Sequence, residues 1–253
     1  MYLSNVYFAI RGYFHGNVSH FWSLAVEEQF YLVWPWLVLF LPKRALLPTI
    51  LILIFIGPLF RLIGFMVNLN QLAIWVLTPG LLDTFGLVSL LAYLKHREDK
   101  LSVSTKNLIK ACFLVGVPLL LLTETLGHID GYRLAGNVLR NTALALTFTW
   151  LIARASEGFR GFIGEALEFR PVVYLGKISY GIYVIHPFTP YLVGKVLYIF
   201  GLSGYSSKPI LMVPLSTGIT VIVAMISWHF LERPINHLKR FFQYTNKVPK
   251  TAL

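Results

Sequence analysis

Apolar runs close to twenty residues long recur along this chain with only short polar loops between them, and few folds accommodate that pattern. A bilayer core needs about 20 apolar residues per helix. Runs near that length lie at 21–41, 46–65, 79–94, 108–122, 134–152, 172–200 and 210–230. The spacing predicts an all-α fold, a polytopic transmembrane helical bundle of about seven spans. Residues 1–253 are expected to form one membrane domain: an external loop-like stretch at 1–20, spans over 21–230 and a basic cytoplasmic tail at 231–253. The run at 172–200 is too long for one straight helix. It should break near His186-Pro187 or Pro190, because proline removes a backbone donor.

Charge supports the same reading. Only 13% of the residues are charged, about half the fraction usual in soluble domains, and the mean hydropathy is +0.66. The net charge of +11 comes from short clusters between apolar runs, not from a basic stripe on a solvated face. No nucleic-acid recognition module is visible, so nucleic acid is not an expected partner. Lys43-Arg44, then Lys95, Arg97, Lys100 and Lys106, then Arg154, Arg160 and Arg170, then Arg233, Lys239, Arg240, Lys247 and Lys250 occupy alternate loops. The intervening loops are poor in basic residues, and one carries Glu124 and Asp130. The positive-inside rule therefore makes the basic loops and the C-terminus cytoplasmic and puts 1–20 outside. Residues 1–20 carry no basic n-region followed by an apolar core, and they read as a loop between spans. The single Cys112 excludes an intramolecular disulfide and leaves no CxxC or zinc spacing.

Against this apolar background the stretch from His20 to Pro35 is unusual. Glu27, Glu28 and Gln29, with Ser23 one turn earlier, stand at the mouth of a run that continues to Leu41. A charged side chain at membrane depth costs roughly 2.5–3.5 kcal/mol on insertion scales, so these acids need a compensating environment. Ser19 or Asn17 is a candidate helix cap, and acids in the first turns suit the positive end of the helix dipole. Glu27 and Glu28 lie about 100° apart around the helix. Ser23, Glu27 and Tyr31 share one face, while Glu28 falls with Leu24 and Leu32. Two readings stay open: both acids are dipole and interface residues, or at least one lines a polar cavity. The company of Gln29 and Ser23 favours the cavity. Pro35, between Trp34 and Trp36, is expected to kink the helix by freeing the carbonyl of Tyr31.

This stretch closely resembles the hallmark F-W-S-L-x-V-E-E-Q-F-Y-L-x-W-P of the membrane acyltransferase 3 family, integral-membrane O-acyltransferases of bacterial surface polysaccharides and related metabolites. Two further segments resemble the family. Tyr174-Leu175-Gly176-Lys177-Ile178-Ser179-Tyr180-Gly181-Ile182-Tyr183-Val184-Ile185-His186-Pro187 is similar to its L-G-x-x-S-Y-x-x-Y-x-x-H segment. Phe230-Leu231-Glu232-Arg233-Pro234 is similar to its closing F-x-E-R-P. The likeness runs from about residue 4 to about residue 238. It implies further spans ahead of this chain, the first of them carrying an arginine and the histidine regarded as catalytic. Neither His15 nor His20 lies in a matching context, so neither inherits that role. The chain is expected to correspond to the C-terminal two-thirds of such an enzyme, its spans being the family's fourth to tenth.

The remaining polar groups in apolar runs are few. Ser179, Tyr183 and His186 fall on one helical stripe at i, i+4 and i+7. This makes His186 either a hydrogen-bonded packing residue or a functional one. The segment 176–181 superficially resembles a serine-hydrolase elbow, but it has one residue too many before Ser179 and no strand–turn–helix context. Arg61 and Asp83 are each unpaired locally. They are expected to pair with each other or with Glu27 or Glu28, or else to contact substrate. In the family they resemble an arginine and an aspartate that tend to recur. Glu232-Arg233-Pro234 is read as the end of the last helix at the cytoplasmic surface. Residues 201–208 are not a P-loop, and no metal-binding spacing is present.

The resemblance implies transfer of an acyl group, commonly acetyl from acetyl-CoA on the cytoplasmic side, to a hydroxyl of a sugar or surface polysaccharide precursor. The setting would be the bacterial cytoplasmic membrane, with the lipid bilayer and a polysaccharide acceptor as partners and no metal. Such chemistry needs a general base for the acceptor hydroxyl and donors for the thioester oxygen. Glu27, Glu28 and His186 are the catalytic candidates here, the acids as groups that orient or charge-balance a base. Ser23, Gln29, Arg61, Asp83, Ser179, Tyr180 and Tyr183 are the candidates for substrate binding, and cytoplasmic basic residues for the coenzyme A phosphates. Two other classes stand beside this reading. One is a catalytically inactive truncated remnant of such an enzyme; the other is a membrane transporter of a lipid-linked sugar. No inverted repeat supports transport, and oligomeric state has no signature in the sequence.

Overall fold

The computed structural model describes residues 2–96, 103–127, 129, 133–202, 204, 208–238 and 241. Arg97, Lys100, Asp130, Lys239, Arg240, Lys247 and Lys250, and part of the loop at 201–208, lie outside the described residues. Among the described residues every regular element is helical. The chain clusters into two compact units, Met1–Gly161 and Phe162–Leu253.

In the first unit, residues expected to be loop form helix α1, Ser4–Arg11. Asn5 and Phe8, one turn apart, are its buried side. Gly12 ends it in the left-handed region at φ 77°, its N–H donating to the Phe8 carbonyl, an ending that favours glycine. Helix α2 (Phe21–Phe40) follows and continues through Pro35. The expected cap is not used: His20 precedes the helix without a side-chain cap bond, and Ser19 donates to the Gly16 carbonyl at 2.7 Å. Extended Pro42 separates α2 from α3, Lys43–Met66. A second element missing from the expected spans is the short helix α4 (Gln71–Val76), capped by Asn70, whose Oδ1 accepts from the Leu72 N–H at 2.9 Å. A 3₁₀ turn at Thr78–Leu81 leads into α5, Leu82–His96.

Helices α6 (Val103–Leu126) and α7 (Arg133–Glu157) complete the unit and pack along each other. The buried side of α7 carries Ala143, Ala145, Thr149 and Ala153, small residues that let backbones approach closely where lipid supplies no hydrophobic drive.

The second unit begins with the short helix α8 (Phe162–Glu168). The long apolar run beyond it is realised as three helices: α9 (Arg170–Lys177), α10 (Ser179–Ile185) and α11 (Thr189–Ile199). The break at 186–188 is the one its prolines predict. The break at Ile178 is additional. Helix α12 (Pro209–Ser227) packs on both α10 and α11. It does not end at Glu232-Arg233-Pro234, as the sequence suggests, but passes through a π turn (Trp228–Glu232) into α13, Arg233–Leu238. The Arg233 N–H donates to the Trp228 carbonyl five residues back. This widened turn lets the helix accommodate Pro234, which has no N–H to donate.

Among the described residues, three helical segments are long and apolar enough to cross a membrane: Lys43–Met66, Thr105–Leu126 and Pro209–Leu238. The other expected spans are helical but depart in length or polarity. Helix α2 carries Glu27, Glu28 and Gln29, α5 has 15 residues, α7 carries Arg140 and Asn141, and α9 to α11 are fragments. Exposed Phe40, Phe55 and Phe200, each more than 70% accessible, fit a protein whose outer surface meets lipid.

Candidate functional site

Helix α2 sorts its polar residues between two sides. Ala25 and Val26 are buried, and Gln29, on the same side, turns into the unit. Its Nε2 donates to Asn5 Oδ1 at 2.9 Å and to the Tyr2 carbonyl at 2.7 Å. Its Oε1 accepts from the Thr78 hydroxyl and, at 3.4 Å, from Asn5 Nδ2. Asn5, fully buried, also donates to the Val76 carbonyl at 3.2 Å. One amide thus fastens α1, α2 and the 3₁₀ turn together, while Ser4 donates to the Phe21 carbonyl at 3.0 Å to hold the start of α2. Ser23 donates to the His20 carbonyl at 3.3 Å.

The acids face elsewhere. Glu27 and Glu28 are both exposed, and among the described residues neither forms an ion pair or hydrogen bond. Helical geometry explains the division: Glu27 lies about 200° from Gln29 around the axis and Glu28 about 100°. With Gln29 fastened inward, Glu27, Glu28 and Tyr31 are turned out.

A second polar cluster lies on the other side of the same turn. Arg61 of α3 and Asp83 of α5 are fully buried and paired through both carboxylate oxygens, Nη2 to Oδ2 at 2.7 Å and Nη1 to Oδ1 at 3.1 Å. Nη1 also donates to the Gly80 carbonyl, Nη2 to the Thr142 hydroxyl at 2.7 Å and Nε to the Val138 carbonyl at 2.8 Å. A guanidinium has five N–H donors, and all five are engaged. Asp83 is held further by the Thr142 hydroxyl at 2.6 Å and the Thr84 N–H at 3.1 Å. Gly57 makes the close approach possible, since a Cβ there would stand 2.5 Å from Asp83 Oδ1. Of the two pairings open to Arg61, the structure forms the one with Asp83. No donor remains for Glu27 or Glu28, and both partners are sealed from any ligand in this arrangement.

The turn at Thr78–Leu81 joins the clusters: Thr78 belongs to the first and the Gly80 carbonyl to the second. Asn5, Thr78 and Thr142 carry this network, and none was a candidate by sequence. The Thr78-Pro79-Gly80 run signals a turn, but no local pattern marks Asn5 or Thr142.

In the second unit the candidates are looser. Ser179 is exposed and donates to the Gly176 carbonyl at 2.9 Å. Tyr180 is 59% accessible. Tyr183 and His186 do meet: Nδ1 of His186 lies 2.7 Å from the Tyr183 carbonyl, and their rings are 5.8 Å apart. Glu232, read from the sequence as part of a helix stop, is turned back by the π turn. It accepts from the Ser227 hydroxyl at 3.1 Å. A Cβ at Gly181 would stand 3.0 Å from its Oε1. Two of the segments that carry the family resemblance therefore meet at Gly181 and Glu232.

Comparison with known proteins agrees with those segments. The acyltransferase 3 family model, described as an acyltransferase domain, matches residues 2–229. The O-acetyltransferase OatA of Staphylococcus aureus is 26% identical over 243 residues, an alignment that covers 92% of this chain and 38% of that protein. The peptidoglycan O-acetyltransferase OatA of Listeria monocytogenes is 27% identical over 268 residues, covering 92% of this chain and 39% of that protein. The chain thus spans about two-fifths of the length of the curated relatives it matches. No solved structure matches it.

Proposed function

The chain belongs to the acyltransferase 3 family, and from that membership we propose that it transfers an acyl group from acyl-CoA to a hydroxyl of a cell-surface polysaccharide. Acetyl is the first group to test and peptidoglycan sugar the first acceptor, following the name of the Listeria relative. The observation that carries this reading is the family match across nearly the whole chain, which spans both compact units. The same breadth supports a single membrane domain of about seven spans in the bacterial cytoplasmic membrane. Its basic loops and C-terminus would be cytoplasmic, by the charge distribution.

Acyl transfer needs a base to take the acceptor's proton and donors toward the developing oxyanion. In this proposal the exposed carboxylates Glu27 and Glu28 orient and charge-balance the base. Gln29 holds them in place through α1 and the 3₁₀ turn, and the sealed Arg61–Asp83 pair holds that turn from behind. Ser23 lies near the acids on α2 and is assigned to the acceptor. Tyr180, Tyr183, Ser179 and His186 are assigned to the acceptor or the acyl carbonyl, and the cytoplasmic basic residues to the coenzyme A phosphates.

The test is direct. Membranes containing the chain are given labelled acetyl-CoA and peptidoglycan fragments, and the fragments are analysed for O-acetyl groups. Transfer is expected from the wild type, with a drop of at least tenfold in a Glu27→Gln/Glu28→Gln double variant. Label that never reaches a hydroxyl acceptor, or full activity in the double variant, would reject the assignment.

A further inference from the structure

Where the end of α1 meets the start of α4, the first unit carries a groove that the Gln29 network does not use. Its volume is about 420 Å³, a size typical of small-molecule sites. Gly12, Tyr13 and Phe14, just beyond α1, form one side, and Asn70, Gln71 and Trp75 form the other. No residue of the lining is charged.

The groove is built into the fold. Helices α1 and α4 run antiparallel and are fastened at both ends. At one end Asn5 donates to the Val76 carbonyl at 3.2 Å. At the other, Gly12 approaches Asn70 so closely that a Cβ there would run into its Nδ2. Phe14 is held edge-on against buried Phe8, their ring centroids 5.4 Å apart.

Within this frame α4 buries Ala73, Ile74 and Val76 and turns Gln71 and Trp75, one helical turn apart, outward. Trp75 is 42% accessible and Tyr13 54%. Among the described residues the Trp75 indole meets no other ring. The Gln71 amide, the Trp75 N–H and the Tyr13 hydroxyl form no hydrogen bond there.

That set of groups restricts the ligand. An anion such as a phosphate would meet no counter-charge. A hydrocarbon would strip water from the Gln71 amide and return no bond. A sugar ring suits both parts of the surface. Its C–H face covers an aromatic side chain, and the hydroxyls at its edge reach an amide that both donates and accepts. An aromatic belt at the membrane surface would account for Trp75 and Tyr13 singly, but not for a fixed concavity that they share with Gln71. On the proposed topology both sides of the groove lie outside, since residues 12–14 precede α2 and residues 70–75 follow α3.

We propose that this groove binds a neutral pyranose ring of the polysaccharide acceptor, its C–H face on the Trp75 indole and its hydroxyl or acetamido groups bonded to Gln71. The proposal rests on the acyl-transfer reading for the source of the glycan, while the binding itself needs no acyl donor.

The test uses the full chain in lipid nanodiscs, titrated calorimetrically with chitotetraose, a neutral glycan of N-acetylglucosamine, without acyl donor. Saturable binding is expected. Trp75→Ala should weaken it by about tenfold or more, as loss of a Trp anchor implies, whereas Trp75→Phe should retain much of it. Gln71→Ala should cost about fivefold, as one net hydrogen bond implies. These side chains are exposed, so the variants' thermal melts should match wild type. Trp36→Ala, at an exposed aromatic of α2, should bind as wild type does. A wild type that binds no chitotetraose, or a Trp75→Ala that binds it undiminished, would overturn the site. Equal loss in Trp36→Ala would mean membrane anchoring only and overturn it as well. The two readings fail separately. Glycan bound but never acetylated would reject acyl transfer and leave the groove standing. Acetylation with an unchanged KM for the glycan in Trp75→Ala would reject the groove and leave acyl transfer standing.

Discussion

Two pairs of charged residues interrupt the apolar helices of the first unit, and the fold treats them in opposite ways. Arg61 and Asp83 are removed from the surface, with all five guanidinium donors engaged and the carboxylate held by Thr142 and Thr84. Glu27 and Glu28 sit on the outward face of α2 with no ion pair among the described residues. The first arrangement leaves no charge for a ligand to meet. The second leaves two carboxylates unneutralised in a helix of otherwise low polarity, which is where function is expected in a membrane protein. The clasp at Gln29 relates the two, because it fixes the rotation that points the acids away.

The largest effect should come from opening the sealed pair. Asp83→Ala leaves Arg61 buried and uncompensated, a change that costs about 3–5 kcal/mol. The detergent-solubilised variant should melt at a much lower temperature or fail to accumulate. Exchanging both partners, Arg61→Met with Asp83→Leu, should recover most of the loss, since well-packed apolar replacements of buried ion pairs are often neutral. Equal damage from single and double variants would show that Thr142, Gly80 and Val138, not the ion pair, organise this core.

Next in size is the clasp. Gln29→Leu keeps the side chain's bulk but leaves the Asn5 amide oxygen, the Tyr2 carbonyl and the Thr78 hydroxyl short of a partner. A buried polar group left unsatisfied costs about 1–3 kcal/mol. Because the lost bonds tie α1 to α2, hydrogen exchange should rise first in Ser4–Arg11 while α6 and α7 stay protected. Uniform loss of protection would mean that Gln29 supports the whole unit and not this junction.

These contrasts also mark what the sequence could reveal. Apolar run lengths locate α3, α6 and α12 to within a few residues, because hydropathy is local. Proline chemistry locates the break after Ile185. The break at Ile178 has no comparable local cause and stands at the start of α10, which packs on α12, while the π turn at Trp228–Glu232 precedes Pro234 where the sequence suggests a helix end. Helices α1 and α4 are too short to show as spans, and their polar residues find partners far away: Asn5 bonds to Val76 and Thr78, some seventy positions along. The pairing of Arg61 with Asp83 was one of two options that charge alone left open. Thr142, which bonds to both, carries no pattern that marks it. Glu27, Glu28 and Gln29 stand out as a group by their rarity in an apolar run, yet only the packed turn at Thr78–Leu81 shows that the amide and the acids have separate tasks.

An ordinary exposed ion pair sets the scale for small effects. Arg140 Nε and Glu124 Oε1 are 2.7 Å apart with both side chains nearly half accessible. Glu124→Gln should change stability by no more than about 1 kcal/mol, and less in high salt.

The acid pair should fall below even that. Glu27 and Glu28 have no described ion-pair or hydrogen-bond partner to lose, so Glu27→Gln and Glu28→Gln should each move stability by no more than about 0.5 kcal/mol. The side chain keeps its shape and loses only its charge. The same substitutions are expected to reduce acyl transfer by at least tenfold in the double variant, so stability and activity should part company here and move together at Asp83. Thermal melts and acetyl-transfer assays on one set of preparations would read both quantities. If the glutamines destabilise the protein as strongly as Gln29→Leu does, the acids are structural, and the outward face of α2 is an interface whose other side they neutralise. If stability holds and transfer falls, the charge on that face serves the reaction, and the buried network behind it serves to aim the charge.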